Sequence, residues 1–118
     1  MSRKLESLTH HFDKAGLSVY LDDPNITELM LNPDGTLWIE RQGEAPRNVA
    51  TVRNEDSQRI LNVLSDYHNE TITANSPILE CELPLDGSRF EGLIPPIVDN
   101  PSFVIRKKPI VFLRLMTT

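Results

Sequence analysis

The sequence predicts an α+β fold, an antiparallel sheet with two helices in the order α-β-β-β-α-β-β-β. Two segments place apolar residues at helical spacing, and the strand-like runs come in hairpin-connected groups with turn residues between them. Strands alternating singly with helices would instead indicate a doubly wound parallel sheet.

The first helix is expected over residues 3–15, where Leu5, Leu8, Phe12 and Ala15 fall at helical spacing and Gly16 supplies the stop. Asp22-Asp23-Pro24-Asn25 reads as a polar turn. Ile26 to Asn32 and Thr36 to Arg41 form a hairpin across Asn32-Pro33-Asp34-Gly35. Pro presets φ there, and Gly accepts the positive φ that closes the turn. Trp38 sits between Leu37 and Ile39, so one side of this ribbon faces core and the other carries an aromatic. A third strand covers Asn48 to Val52.

Asn54 is the expected N-cap of the second helix, with Glu55 and Asp56 in the first turn opposing the macrodipole. Ile60, Leu61, Leu64 and Tyr67 make its apolar stripe, which ends near Asn69. The period then switches to two: Leu79, Cys81, Leu83 and Leu85 alternate with Glu80, Glu82 and Pro84. Asp86-Gly87 signals a tight hairpin into a return strand from Arg89 to Ile94. Pro95-Pro96 ends that strand, and Ser102 to Lys107 is the last.

At 118 residues the chain is one domain's worth of protein, 1–118, able to bury a usable core without disulfides. Its 39% apolar and 25% charged residues are those of a globular chain rather than a disordered one. A formal net charge of -5 attracts neither nucleic acid nor anionic lipid, so direct nucleic-acid binding is not expected. Any anion site must be a local concentration of basic residues. The single cysteine excludes an internal disulfide and a multi-cysteine zinc site. No run approaches the roughly 18 apolar residues of a spanning helix. The first residues lack an apolar signal core, which makes the cytoplasm the default location.

Candidate chemistry is sparse. Glu80 and Glu82 share a strand face and could hold a metal or serve as an acid–base pair, but the alternation makes them solvated surface carboxylates. His10 and His11 are adjacent on a helix and point about 100° apart, while His68 lies near a helix end. None has a partner at metal-ligand spacing, so a structural or surface role is expected. Cys81 falls among core residues, where a thiol is inert. A small hydrolase using Glu80, Glu82 and a histidine is therefore a remote reading. The five glycines are scattered and form no phosphate-binding loop, so the chain has no visible means of hydrolysing a nucleotide alone.

The basic residues say more. Arg89 follows the Asp86-Gly87-Ser88 turn, and Arg106, Lys107 and Lys108 end the last strand. If those strands pair, positive groups collect along one sheet edge, where guanidinium forks suit phosphate oxygens. The plainer alternative is a set of surface charges matched by Glu91 and Asp99.

Leu21-Asp22-Asp23-Pro24-Asn25-Ile26-Thr27-Glu28-Leu29-Met30-Leu31-Asn32-Pro33-Asp34-Gly35, continuing through Trp38 and Glu40, is one extended motif. Asp86-Gly87-Ser88-Arg89-Phe90, Ile94-Pro95-Pro96 and Phe103-Val104-Ile105-Arg106-Lys107-Lys108 make a second. Both resemble the conjugal-transfer ATPases of the Trb type, within the type II/type IV secretion traffic-ATPase superfamily. The resemblance spans roughly residues 20 to 110.

It implies a PAS-like N-terminal domain of a two-domain protomer that assembles as a hexameric ring. A RecA-like domain with the Walker motifs would bind ATP and magnesium, and N-terminal arginines would reach the nucleotide phosphates. By motif position these are Arg89 and Arg106, with Lys107 a further candidate, and neither a catalytic residue nor a metal ligand is implied here. The implied partners are further copies of the protomer, ATP and the inner-membrane secretion machinery, with a cytoplasmic position peripheral to that membrane. The RecA-like domain is expected to be absent from this chain. After Val111-Phe112 the tail Leu113-Arg114-Leu115-Met116-Thr117-Thr118 departs from the family's Thr-Leu-Asp-Asp-Tyr. One codon choice for that pentapeptide, read in a shifted frame, gives the observed tail, so a frameshifted or truncated copy of a parent gene is the expectation. The alternative function is a free-standing PAS-like interaction or ligand-sensing module.

Overall fold

Leu8 and Phe12 lie one helical turn apart, and both are fully buried, which fixes the inner face of α1 (Arg3–Lys14) in this computed structural model. It describes residues 3–108, so the expected frame change over 113–118 lies outside the described residues. Gly16 ends the helix as expected: its φ of 77° lets Leu17 N–H reach back to Phe12 O at 2.9 Å. A short turn, α2 (Ser18–Leu21), follows where no element was expected. Its cause is local, because Leu17 and Leu21 recur four residues apart and both enter the core.

The strands are β1 (Ile26–Leu31), β2 (Thr36–Arg41), β3 (Arg47–Thr51), β4 (Ile78–Glu82), β5 (Arg89–Leu93) and β6 (Ser102–Arg106). The helix α3 (Asn54–Tyr67) connects β3 to β4. All six strands join in one antiparallel sheet, in the order β3-β2-β1-β6-β5-β4. The β1–β2 turn closes on Gly35 at φ 89°, with Asp34 Oδ1 accepting from Thr36 N–H at 2.9 Å.

Alternation sorts the sheet into two faces. Leu29, Leu37, Leu79, Phe90, Phe103 and Ile105 are buried and form one core with Ile60, Leu61 and Leu64 of α3. Each fully buried side chain of this size contributes roughly 1.5–3 kcal/mol relative to exposure, so this face decides the register. The opposite face carries exposed or half-buried groups, among them Glu28, Met30, Trp38, Arg89, Val104 and Arg106. Trp38 is on that outer side of the β1–β2 ribbon, as expected.

Three local expectations are corrected. Arg53, not Asn54, occupies the N-cap position of α3, and no side chain caps it. Asn54 Nδ2 instead donates to Asn100 Oδ1 at 3.1 Å, and Asn100 Nδ2 donates to Pro33 O at 3.1 Å, tying the start of α3 to the loop before β6 and the β1–β2 turn. The second correction concerns β4, which ends at Glu82 because Pro84 has no N–H to continue the ladder. The Asp86-Gly87 pair is accordingly part of a longer connection, closed by Leu83 N–H to Ser88 O and Gly87 N–H to Leu83 O, each 2.7 Å. Third, β3 starts at Arg47 and stops at Thr51.

The face assigned to β4 holds. Leu79 and Leu83 are buried, Cys81 and Leu85 pack partly buried against the core, and Glu80 and Glu82 are exposed. Burial pushes the Cys81 thiol up to about 11, with the nearby Glu70 acting in the same direction and Arg89 against it. Cys81 is therefore expected to react with a thiol reagent near pH 8 far more slowly in the native protein than in urea. Equal native and unfolded rates would show that the strand's face is misassigned.

Candidate phosphate-binding end of the sheet

Residue type and register together build the site. Arg89 opens β5 and Arg106 closes β6, and the two are direct cross-strand partners. Directly opposed residues in an antiparallel pair have Cα atoms about 4.5–5.5 Å apart and side chains on the same face. The expected pairing of these strands is thus present, but its place differs. β5 and β6 are interior strands, so the arginines gather at one end of the sheet's open face rather than along a lateral edge.

Their carboxylate partners also differ from those expected. Arg106 Nε donates to Glu28 Oε1 at 3.2 Å, and Arg89 Nη2 donates to Glu80 Oε2 at 3.4 Å, whereas Glu91 and Asp99 take no part in these pairs. Register explains the change. Glu28 is the cross-strand partner of Arg106 on its other side, and Glu80 lies diagonal to Arg89 across β4. The alternation that clears Glu80 and Glu82 from the core therefore gives Glu80 a definite neighbour. Among the described residues no group of three His, Cys, Asp or Glu side chains could hold a metal ion.

Lys107 turns the other way. Its Nζ donates to the Asp23 carbonyl, and its own N–H donates to Thr27 O at 2.9 Å. Partial burial lowers its pKa, against the opposing fields of Asp86, Asp23 and Asp22. Lys108 Nζ lies 3.0 Å from the position a Cβ on Gly87 would take. Arg106, Lys107 and Lys108 line an open cleft of about 1230 Å³ together with the 24–28 segment and Glu40, Arg41, Gln42 and Glu44. Arg89 stands outside that lining, so cleft and arginine pair overlap only at Arg106.

Asp23 is the residue that sequence reasoning missed. Its Oδ1 accepts from Asn25 N–H at 2.9 Å, its Oδ2 accepts from Arg41 Nη2 at 3.2 Å, and its carbonyl takes Lys107. It thereby ties the α2–β1 turn to the ends of β2 and β6. The Asn25 bond was legible as an Asx turn, since Asp two residues before an exposed N–H makes one. The other two depend on strand register, which no local pattern reveals.

These bonds hold the Asp23 carboxyl below its ordinary value of 3.8, the Asn25 N–H first and the Arg41 guanidinium after it. A depressed folded pKa adds stability above the unfolded value, and that contribution is lost as pH falls through the folded pKa. Asp23→Asn should accordingly destabilise the domain at neutral pH, with the gap to the parent closing as pH falls below the ordinary carboxylate value and through the lowered folded one. A gap independent of pH in urea titrations would exclude this role.

The histidines take structural places. His68 Nε2 bonds Glu82 O at 2.9 Å, covering one carbonyl of the edge strand β4. His10 and His11 meet edge to face at 5.3 Å, and burial followed by the His10 charge lowers the His11 pKa. No helix among the described residues is long and apolar enough to cross a membrane.

No protein-family model matches the chain. Over 92 residues it is 40% identical to a probable conjugal transfer protein TrbB from Sinorhizobium fredii, covering 78% of this chain and 28% of that protein. The conjugal transfer protein TrbB of Rhizobium radiobacter is 39% identical over the same length, with the same coverage. In three dimensions the chain resembles the VirB11 ATPase of the Brucella suis type IV secretion system, crystallised in complex with sulphate. That match has a TM-score of 0.82 and 27% identity, and covers 92% of this chain and 32% of the other. The chain thus spans about a third or less of the length of these relatives. Sequence and fold agree that this chain resembles the N-terminal domain of the Trb-type secretion traffic ATPases.

Proposed function

We propose that this chain is the assembly and nucleotide-clamping domain of a conjugation or secretion ATPase that works as a hexameric ring. A RecA-like domain of the parent protein would hydrolyse ATP with magnesium, while Arg89 and Arg106 contribute positive charge to the nucleotide phosphates. The observation that carries this reading is the register that sets the two arginines directly opposite one another on an open face. Like charges so placed oppose each other, and an anion between them relieves the conflict. Guanidinium forks match phosphate oxygens, so these residues fit the phosphate part of the cofactor. Lys107, already bonded to the Asp23 carbonyl, adds to the local field and holds the neighbouring turn.

The partners on this reading are further protomers and the secretion machinery at the inner membrane, met from the cytoplasmic side. A free-standing ligand-sensing module, the alternative, would enclose its ligand. The cleft here opens along the end of the sheet, and the interior between sheet and helices is filled by the core cluster.

The isolated chain should show no ATP turnover above buffer, with or without magnesium, because its sequence contains no phosphate loop. It should bind pyrophosphate weakly, on the order of millimolar. A charge-assisted contact contributes roughly 1.5–3 kcal/mol, against several kcal/mol for immobilising the ligand. Backbone NMR shifts on titration should centre on Arg89 and Arg106, and Arg89→Ala/Arg106→Ala should abolish them. Shifts that persist in the double variant would remove the arginines from the site.

A further inference from the structure

The two arginines do not point at a common centre. Arg106 on β6 is drawn towards Glu28 on β1, while Arg89 on β5 is drawn the opposite way across the sheet, towards Glu80 on β4. The two anchors differ in firmness. The Glu28 side chain is only 19% exposed, whereas that of Glu80 is 51% exposed, and the arginines themselves are 72% and 65% exposed. Across this end of the sheet the charges run Glu40, Glu28, Arg106, Arg89, Glu82, each a direct register partner of the next. Two like pairs stand side by side in that row, Glu40 with Glu28 and Arg106 with Arg89. Each guanidinium has escaped its like neighbour by turning to an outer carboxylate.

We infer that Glu28 and Glu80 are positioning residues that hold Arg106 and Arg89 apart and make the site selective for a bridging polyphosphate over a single phosphate. This rests on the arginine site proposed above. A single phosphate reaching one guanidinium must compete with a carboxylate already in place and gains little. A diphosphate or triphosphate chain spans the opening between the two, replaces both carboxylates and relieves the Arg89–Arg106 conflict together. Glu28, the more buried of the pair, is the stronger competitor. Glu80, half-exposed and diagonal to its arginine, is the weaker.

Exposed and half-exposed ion pairs are individually weak, which makes this a threshold rather than a lock. Removing one carboxylate charge should raise anion affinity on the order of two- to fivefold, more for Glu28 than for Glu80. It should also lower the thermal midpoint, because the opposed arginines then lose a compensating charge. That opposition in sign, tighter binding in a less stable domain, is not what a merely structural carboxylate would give.

The test is NMR titration of the chain with pyrophosphate and, separately, with inorganic phosphate, in the parent, Glu28→Gln, Glu80→Gln and the double variant, with thermal unfolding of each. The parent is expected to prefer pyrophosphate clearly. Glu28→Gln/Glu80→Gln should bind both anions more tightly and prefer pyrophosphate by a smaller ratio. Equal affinities and ratios in the parent and the double variant overturn this inference and leave the arginine site standing. Anion shifts that survive Arg89→Ala/Arg106→Ala, or no binding in any variant, overturn the arginine site and this inference with it.

Discussion

Gly92→Ala is expected to destabilise the domain by roughly 1–3 kcal/mol, the usual cost of forcing an extra methyl into a packed core. A Cβ at Gly92 would lie 2.2 Å from Leu61 Cδ2 and 2.9 Å from Phe90 Cε1. Both neighbours are fully buried, so neither can swing aside into solvent. Gly92 sits between Leu79 and Phe103 in the register, where Leu61 of α3 packs against the strand. For a domain of this size each kcal/mol shifts the thermal midpoint by about 4 °C. Glu91→Ala, on the open face of the same strand, is the control and should change little. Urea midpoints of the parent and Gly92→Ala that coincide would mean α3 does not press on β5 as described.

Gly92 also illustrates what could be seen in the sequence. The strand around it was legible from the turn before Arg89 and the Pro95-Pro96 stop after Ile94. A glycine inside a strand signals close approach of something, but what approaches depends on where α3 lands, which is set by the whole core. The helices followed the same division. α3 was visible as a stripe of Ile60, Leu61 and Leu64, because burial and periodicity agree there. Its N-cap was misread because Asn54, a favoured capping residue by type, is bonded to Asn100 from a distant loop.

The site divides in a similar way. Motif resemblance singled out Arg89 and Arg106, and the pairing of β5 with β6 puts them together. It could not supply Glu28 and Glu80, which lie far off in sequence and become neighbours only through the order β1-β6-β5-β4. Lys107 shows the complementary limit. Adjacent to Arg106 in sequence, it is turned by strand alternation to the other side, where Asp23 engages it.

The second large effect belongs to the arginines in a complete enzyme. If the proposed clamp is right, the isolated domain is expected to offer nucleotide only a weak contact, whereas an ATPase domain would position the phosphates and exclude water around them. A charge-assisted contact to a transferring phosphoryl group then acts in the transition state, where losing it costs tenfold or more in rate. Tenfold corresponds to about 1.4 kcal/mol, less than the strength of such a bond, so the figure is a floor. Neither substitution should unfold the domain, since both side chains are mostly exposed and their ion pairs are weak.

The most direct measurement joins residues 1–108 to the ATPase domain of a TrbB relative and follows steady-state ATP hydrolysis in four proteins. These are the parent, Arg89→Ala, Arg106→Ala and Arg47→Ala, the last an exposed arginine at the start of the edge strand β3. Circular dichroism confirms that each is folded. Arg89→Ala and Arg106→Ala should each lose tenfold or more in rate, while Arg47→Ala stays close to the parent. If all three variants hydrolyse ATP like the parent, the arginines are ordinary surface charges and the phosphate clamp is wrong.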